Sequence, residues 1–260
     1  MLQKNNQGSW SFDIFNKYPN LVCSVSDQNF GNLSYKWQTE ESVTENRNKF
    51  FKVNQIVSDQ VIVMHVNQGV DVIVVDEKGK KMIQKNGNNI EVNGLITNLD
   101  RVGLFLLTAD CIPIIFYDPV NKVIGIAHVG WGGTVGKLPV IMLAKMNSTF
   151  GSNIKDFKIA FGPSLCDKCN IQPNPINQSN IPEWQDYLHP SDKNNTRIEL
   201  IRFNLNELKK VGVKTNQIDL SNICTLESHD FYSHEAFQKG VHERERRFAS
   251  LIYLNNEQNN

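Results

Sequence analysis

A thiol and an imidazole, the side chains that most readily bind metals or act as nucleophile and base, bracket one apolar stretch of this 260-residue chain. Cys111 precedes the run 112–117, and His128 follows the run 123–127. Between them lies Asp118-Pro119-Val120-Asn121, whose residue types favour a tight reversal. An antiparallel hairpin returns its far end to its near end, so Cys111 and His128 are expected to be neighbours in space. His65, in the β-branched stretch VIVMHVNQG, offers a third donor. A His, Cys, His set with a vacant fourth position describes a catalytic zinc rather than a closed structural one. Copper is the alternative, because blue-copper sites also use two histidines and a cysteine. Met64 is a poor axial ligand for it, since neighbours on a strand face opposite ways. Six histidines in all are too few for a multicopper cluster as well. Asp110, beside the cysteine, is costly at the end of an apolar run unless it has a partner or a role. The glycines of Gly130-Trp131-Gly132-Gly133 allow a ligand to approach the backbone closely.

Other constellations carry less. Cys166-Asp167-Lys168-Cys169 is a CxxC without a second pair, since only Cys23 and Cys224 remain, and two loop thiols are expected. His229, His234 and His242 read as solvated histidines. His234-Glu235 does not open a zinc-protease HExxH, because Gln238 stands where the second histidine would be. Residues 130–136 do not fit GxGxxG, and Arg244–Arg247 reads as a solvated face from which Arg247, like Arg47, could meet an anion.

The elements that must position these residues follow from periodicity and punctuation. Strands are expected at 21–26, 61–66, 70–75, Gly94–Thr97, 102–108, 157–161, 218–224 and Phe248–Leu254, with 61–75 forming a hairpin or a strand–turn–strand around Asn67-Gln68-Gly69. Helices are expected at Glu40–Val53, with acids early and bases late, at Leu138–Phe150, opened by Pro139 and closed by Gly151, and at 199–211. Residues 1–9 should fray, Glu77–Lys85 should be a charged loop region, 166–190 an excursion with a helical turn near 183–188, and 255–260 a polar tail. With no repeat or linker, this is an α/β (α+β) chain in one domain over 1–260. Lysine plus arginine and aspartate plus glutamate both number 27, which leaves no electrostatic footprint for nucleic acid. No apolar run approaches the ~20 residues of a membrane span. Five cysteines, no signal peptide and no disulfide framework point to the cytoplasm.

The motifs together resemble the laccase-domain family, also called multicopper polyphenol oxidase or YfiH-type purine nucleoside phosphorylases. Thr108-Ala109-Asp110-Cys111-Ile112-Pro113, Asp118-Pro119 and Ala127-His128-Val129-Gly130-Trp131 with Gly133 carry the resemblance. Weaker matches lie at Asn46-Arg47, Gly94–Thr97, Phe161-Gly162-Pro163, Cys169, Cys224-Thr225 and Arg247. The resemblance implies a sandwich of mixed β-sheet flanked by helices and a metal site of His65, Cys111 and His128. It further implies zinc-dependent phosphorolysis of adenosine, inosine or methylthioadenosine and deamination of adenosine, the older family label being copper polyphenol oxidase. Purine nucleoside and phosphate would be the small-molecule partners, and the oligomeric state stays open. Catalytic roles would fall to Cys111, His128 and Asp110, and substrate contacts to Arg47, Trp131 and Arg247. The chain departs from the family where Gly132 replaces an arginine, where Val63 and Val66 replace a Gln and a Gly around His65, and where His234-Glu235 replaces a Tyr-Arg pair. The rival readings are a copper-dependent polyphenol oxidase and, given these departures, a degenerate, non-catalytic nucleotide-binding protein.

Overall fold

Alternation along the central hairpin decides the architecture. Ile115, Tyr117, Ile124 and Ile126 point into one buried cluster, while Ile114, Phe116, Val123 and Ala127 point into another. Strands buried on both faces in this way belong in the middle of a layered structure. A computed structural model describes residues 1–255 and shows those layers. The remainder of the expected polar tail lies outside the described residues.

A six-stranded mixed sheet runs in the order Ile218–Leu220, Lys158–Phe161, Ile112–Asp118, Val123–Val129, Gly94–Thr97, Val72–Val74. A seven-stranded mixed sheet runs Leu2–Lys4, Trp10–Phe12, Leu21–Val25, Phe248–Leu254, Gly103–Thr108, Val61–His65, Asn89–Glu91. Leu104, Leu106 and Ile252 of the larger sheet share one core with Ile115, Ile124 and Ile126 of the smaller, so the two sheets pack face to face. Helix Leu138–Phe150 covers the outer face of the smaller sheet through Leu138, Met142 and Met146. Gly125 permits this approach, because a Cβ there would lie 3.0 Å from the Met142 methyl. Helix Glu40–Val53 covers the outer face of the larger sheet through Phe50 and Phe51, which pack on Phe105. Each such buried aromatic stabilises the fold by about 1.5–3 kcal/mol. The expected α/β sandwich is therefore observed.

Local expectations fail where sequence periodicity is blind to partners. The runs around Asn67-Gln68-Gly69 are not a hairpin. Val61–His65 pairs parallel with Gly103–Thr108 in the larger sheet, whereas Val72–Val74 pairs parallel with Gly94–Thr97 in the smaller. The 66–71 loop thus crosses between sheets. Glu77–Lys85 is a helix rather than a loop, because the Asp76 carboxylate caps it by accepting the Gly79 N–H at 2.6 Å. The N-terminus does not fray: Leu2–Lys4 pairs with Trp10–Phe12, and the terminal amine meets Asp219 at 2.7 Å. Within the 166–190 excursion, Ile171–Pro173 and Leu188–Pro190 flank Asn195–Ile198 in a small third sheet.

Candidate active site

The hairpin forms with the anticipated turn. The buried Asp118 carboxylate accepts the Val120 N–H at 2.9 Å and the Asn121 side-chain amide at 2.8 Å. Register places His128 opposite Pro113 and Val129 opposite Ile112, so Cys111 and Gly130 face one another just beyond the last pair. A Cβ on Gly130 would stand 3.0 Å from the Cys111 sulfur, 3.6 Å from His128 Cε1 and 2.9 Å from Gln68 Oε1. Three side chains therefore converge over bare backbone. Gln68, Cys111 and Gly130 border a cavity of about 740 Å³ that Trp131, Leu165 and Glu235 also line, a volume suited to a small-molecule ligand.

The shifts at this pair run against one kind of chemistry. Burial, with a further push from Asp110, raises the Cys111 thiol to about 11 despite the opposing charge of Arg247. Burial, then Arg247, lowers His128 to about 4. A thiolate–imidazolium nucleophile needs the reverse shifts. Burial here favours the neutral thiol and the neutral imidazole. His128 Nδ1 is buried and has no hydrogen-bond partner among the described residues, so a lone pair is available to something bound.

His65 is not brought to this pair. It ends its strand opposite Glu91, its side chain is exposed, and Nε2 meets Asn89 Oδ1 at 2.8 Å on the neighbouring strand. The side chain that reaches Cys111 and His128 comes from Gln68, in the crossing loop and in a left-handed backbone conformation, φ 66°. Gly69 follows Gln68 as the family's glycine follows its first histidine, and this was the signal in the sequence that pointed three residues beyond His65. Met64 is buried between the sheets, so neither it nor His65 completes a blue-copper set. Judged by donor chemistry, the site fits zinc through two strong ligands, Cys111 and His128, and one weak amide oxygen, Gln68.

Asp110 is a clamp rather than a free acid or base. Its backbone is strained at φ 90°. Oδ1 accepts the Thr225 hydroxyl at 2.6 Å, Oδ2 accepts the Glu235 N–H at 2.6 Å, and the carbonyl accepts the Leu165 N–H at 2.8 Å. Trp131 stands at the cavity, 36% exposed, with its ring centroid 5.2 Å from that of Trp184. Arg247 stacks on Trp37 at 4.3 Å and pairs with Glu245 at 2.5 Å. Its charge nevertheless acts on both Cys111 and His128. Arg47 is elsewhere: buried, it donates to the Leu33 carbonyl at 2.8 Å and stacks on Tyr35 at 4.2 Å, supporting a loop rather than the cavity.

His234 is not simply a solvated histidine. It borders the cavity, and its Nδ1 meets Glu245 at 2.8 Å, the same carboxylate that holds Arg247. Burial would raise Glu245, but Arg247 and His234 hold it below the ordinary carboxylate range. The CxxC likewise has company. Donor atoms of Cys166, Cys169, Cys224 and Glu227 all lie within 4.8 Å of one another, a group able to hold a metal ion.

Comparison with known proteins agrees with this fold. A family model described as multi-copper polyphenol oxidoreductase laccase matches residues 22–255. A Bacillus subtilis protein named purine nucleoside phosphorylase YlmD is 33% identical over 150 residues, 56% of this chain and 54% of its own length. A protein named adenosine deaminase RL5, from an unknown prokaryotic organism, is 29% identical over 113 residues, 43% of each chain. The chain thus spans about half the length, or less, of these two curated relatives. The crystal structure of Bacillus licheniformis hypothetical protein YfiH superposes with a TM-score of 0.86 at 23% identity, covering 97% of this chain and 98% of that one. No helix of the described residues is long and apolar enough to cross a membrane.

Proposed function

Because the chain belongs to the multi-copper polyphenol oxidoreductase laccase family, whose similar members include proteins named purine nucleoside phosphorylase and adenosine deaminase, we propose that it acts on purine nucleosides in the Cys111–His128 cavity. The convergence of Cys111, His128 and Gln68 over Gly130 carries this reading. A zinc ion on Cys111 and His128, weakly supported by Gln68, would supply Lewis acidity to a water or phosphate oxygen. The exposed indole of Trp131 offers a stacking face for the purine. Arg247 supplies positive charge on the Cys111 side, which draws phosphate in. His128 Nδ1, buried and without a hydrogen-bond partner among the described residues, would offer its lone pair to the metal. Asp110, with both oxygens occupied, acts by positioning Cys111. Phosphorolysis would join phosphate to C1′ as the glycosidic bond breaks, and deamination would replace the purine 6-amino group by oxygen from water. Five free thiols suit a reducing compartment such as the cytoplasm.

The test is incubation with adenosine, inosine or methylthioadenosine, with and without phosphate, followed by chromatography. Free base that forms only with phosphate, or inosine formed from adenosine, both lost in Cys111→Ala, is the expected result. One observation favours a second reading, a nucleoside-binding protein without turnover: the third donor beside Cys111 and His128 is the weak amide of Gln68 rather than an imidazole. Calorimetric binding of adenosine with no product above the Cys111→Ala control would establish that reading instead.

A further inference from the structure

Next to Leu165, which lines the cavity and donates to the Asp110 carbonyl, the chain enters the second group of donors. Cys166 and Cys169 sit in a tight turn in which the N–H groups of Cys169 and Asn170 both donate to the Cys166 carbonyl at 3.0 Å. Cys224 arrives from the loop after Ile218–Leu220. An isolated parallel bridge pairs it with Ser164, and the Thr225 N–H donates to the Ser164 carbonyl at 3.0 Å. Glu227 follows on the next turn, which the Ser228 N–H closes onto the Cys224 carbonyl at 2.9 Å. The backbone N–H of Cys166 points at the Cys224 sulfur, 3.4 Å away, and those of Leu226 and Glu227 also face it.

Three cysteines packed together are one too many for a disulfide, and all three are free thiols. Their spacing suits a metal. Zinc–sulfur bonds of about 2.3 Å in a tetrahedron put neighbouring donors roughly 3.8 Å apart, within the 4.8 Å found here. N–H groups aimed at a sulfur stabilise it as a thiolate. A sulfur-rich set selects zinc over magnesium or calcium. With every corner filled by protein, no position is left for substrate. We propose that Cys166, Cys169, Cys224 and Glu227 form a closed structural zinc site, separate from the Cys111–His128 site.

Its role follows from its neighbours in the chain. Thr225, next to Cys224, donates to Asp110 Oδ1, and Leu165, next to Cys166, donates to the Asp110 carbonyl. Zinc would lock together the two loops that hold Asp110 in its strained conformation and thereby fix the backbone leading into Cys111.

The test reads metal and stability rather than turnover. Cys111→Ala, alone and combined with Cys169→Ser or Glu227→Gln, is purified under reducing conditions, and zinc per chain is measured by mass spectrometry of the metal. Cys111→Ala should keep about one zinc per chain, the combination with Cys169→Ser should lose at least about nine-tenths of it, and the combination with Glu227→Gln should hold it less tightly against a chelator. Cobalt substitution in Cys111→Ala should give strong thiolate-to-cobalt absorption that adding Glu227→Gln alters, a readout that survives if the Cys169→Ser combination fails to fold. A strong chelator should lower the melting temperature of Cys111→Ala and leave that of the folded Cys111→Ala/Cys169→Ser protein unchanged. A Cys111→Ala protein with no zinc and no thiolate–cobalt absorption overturns the proposal, as does a Cys166–Cys169 disulfide in the protein as isolated from cytoplasmic expression. Because none of these readouts needs nucleoside turnover, the site stands or falls independently of the proposed activity.

Discussion

Gln68 Oε1 and the Cys111 sulfur flank the same point above Gly130, 2.9 and 3.0 Å from the place a Cβ would occupy there. An amide oxygen is a poor zinc donor beside a thiolate and an imidazole, so the cavity should hold zinc weakly. Gln68→His should tighten it at least about tenfold, or roughly 1.4 kcal/mol. Histidine is among the residues that tolerate the left-handed backbone found at this position. Competition against a chromophoric chelator, in a Cys169→Ser background that removes the other thiol cluster, measures the change. Equal affinity in both proteins would show that residue 68 does not face the metal.

Gly132 stands where the family carries an arginine, yet restoring the arginine should not restore function. A Cβ on Gly132 would collide with the backbone carbonyl oxygen of Gln68. No rotamer relieves a clash that begins at Cβ, so the crossing loop would have to move. Gly132→Arg and Gly132→Ala should therefore destabilise alike, by about 1–3 kcal/mol as for other overpacked sites. Chemical denaturation of both variants checks this. A stable Gly132→Arg protein with raised phosphate-dependent activity would show that the loop adapts and that the glycine is a simple loss.

How far the sequence could be read depends on the range of each determinant. Helix Leu138–Phe150 and strand Phe248–Leu254 have the bounds expected, because Pro139, Gly151 and an uninterrupted apolar run are local signals. The hairpin that brings Cys111 to His128 is local as well. Gln68 was passed over because 61–75 reads as a hairpin, and only the strand partners show that 66–71 crosses between sheets. Cys224 joins Cys166 through a contact spanning 58 residues, a separation that no pattern along the chain encodes.

Asp110 should matter more to stability than a residue bordering a cavity usually does. Its carboxylate accepts two short hydrogen bonds, from Thr225 and Glu235, each linking segments distant in sequence. Hydrogen bonds to a charged group are worth about 1.5–3 kcal/mol each. Asn tolerates positive φ but offers one oxygen and turns an NH₂ donor towards a partner that also donates. Asp110→Asn should cost about 2 kcal/mol or more, seen as a lower urea midpoint with an unchanged slope. If the midpoint stays put, Asp110 is not the clamp described, and its charge would have to serve the reaction directly.

The wall of the cavity nearest Trp131 should loosen in acid. Glu183 accepts from Lys137 at 2.7 Å and Lys210 at 3.3 Å, and the adjacent Trp184 stacks on Phe203 at 4.1 Å and touches Trp131. The Lys137 hydrogen bond holds the Glu183 carboxyl below its ordinary 4.5, and Glu183 in turn raises the Lys137 ammonium above its ordinary 10.5. A lowered carboxyl stabilises the fold above its unfolded value, and that contribution is lost as the pH falls through the folded value. A raised ammonium contributes below its unfolded value, and that part is lost only as the pH rises through the folded one. Between these limits Glu183→Gln should be less stable than wild type by about 1 kcal/mol or less, since the groups are partly exposed, and salt should shrink the gap. Well below pH 4.5 the two proteins should melt together, a convergence that tryptophan fluorescence can follow. A gap of equal size at pH 3 and pH 7 would mean that Glu183 acts through packing rather than charge.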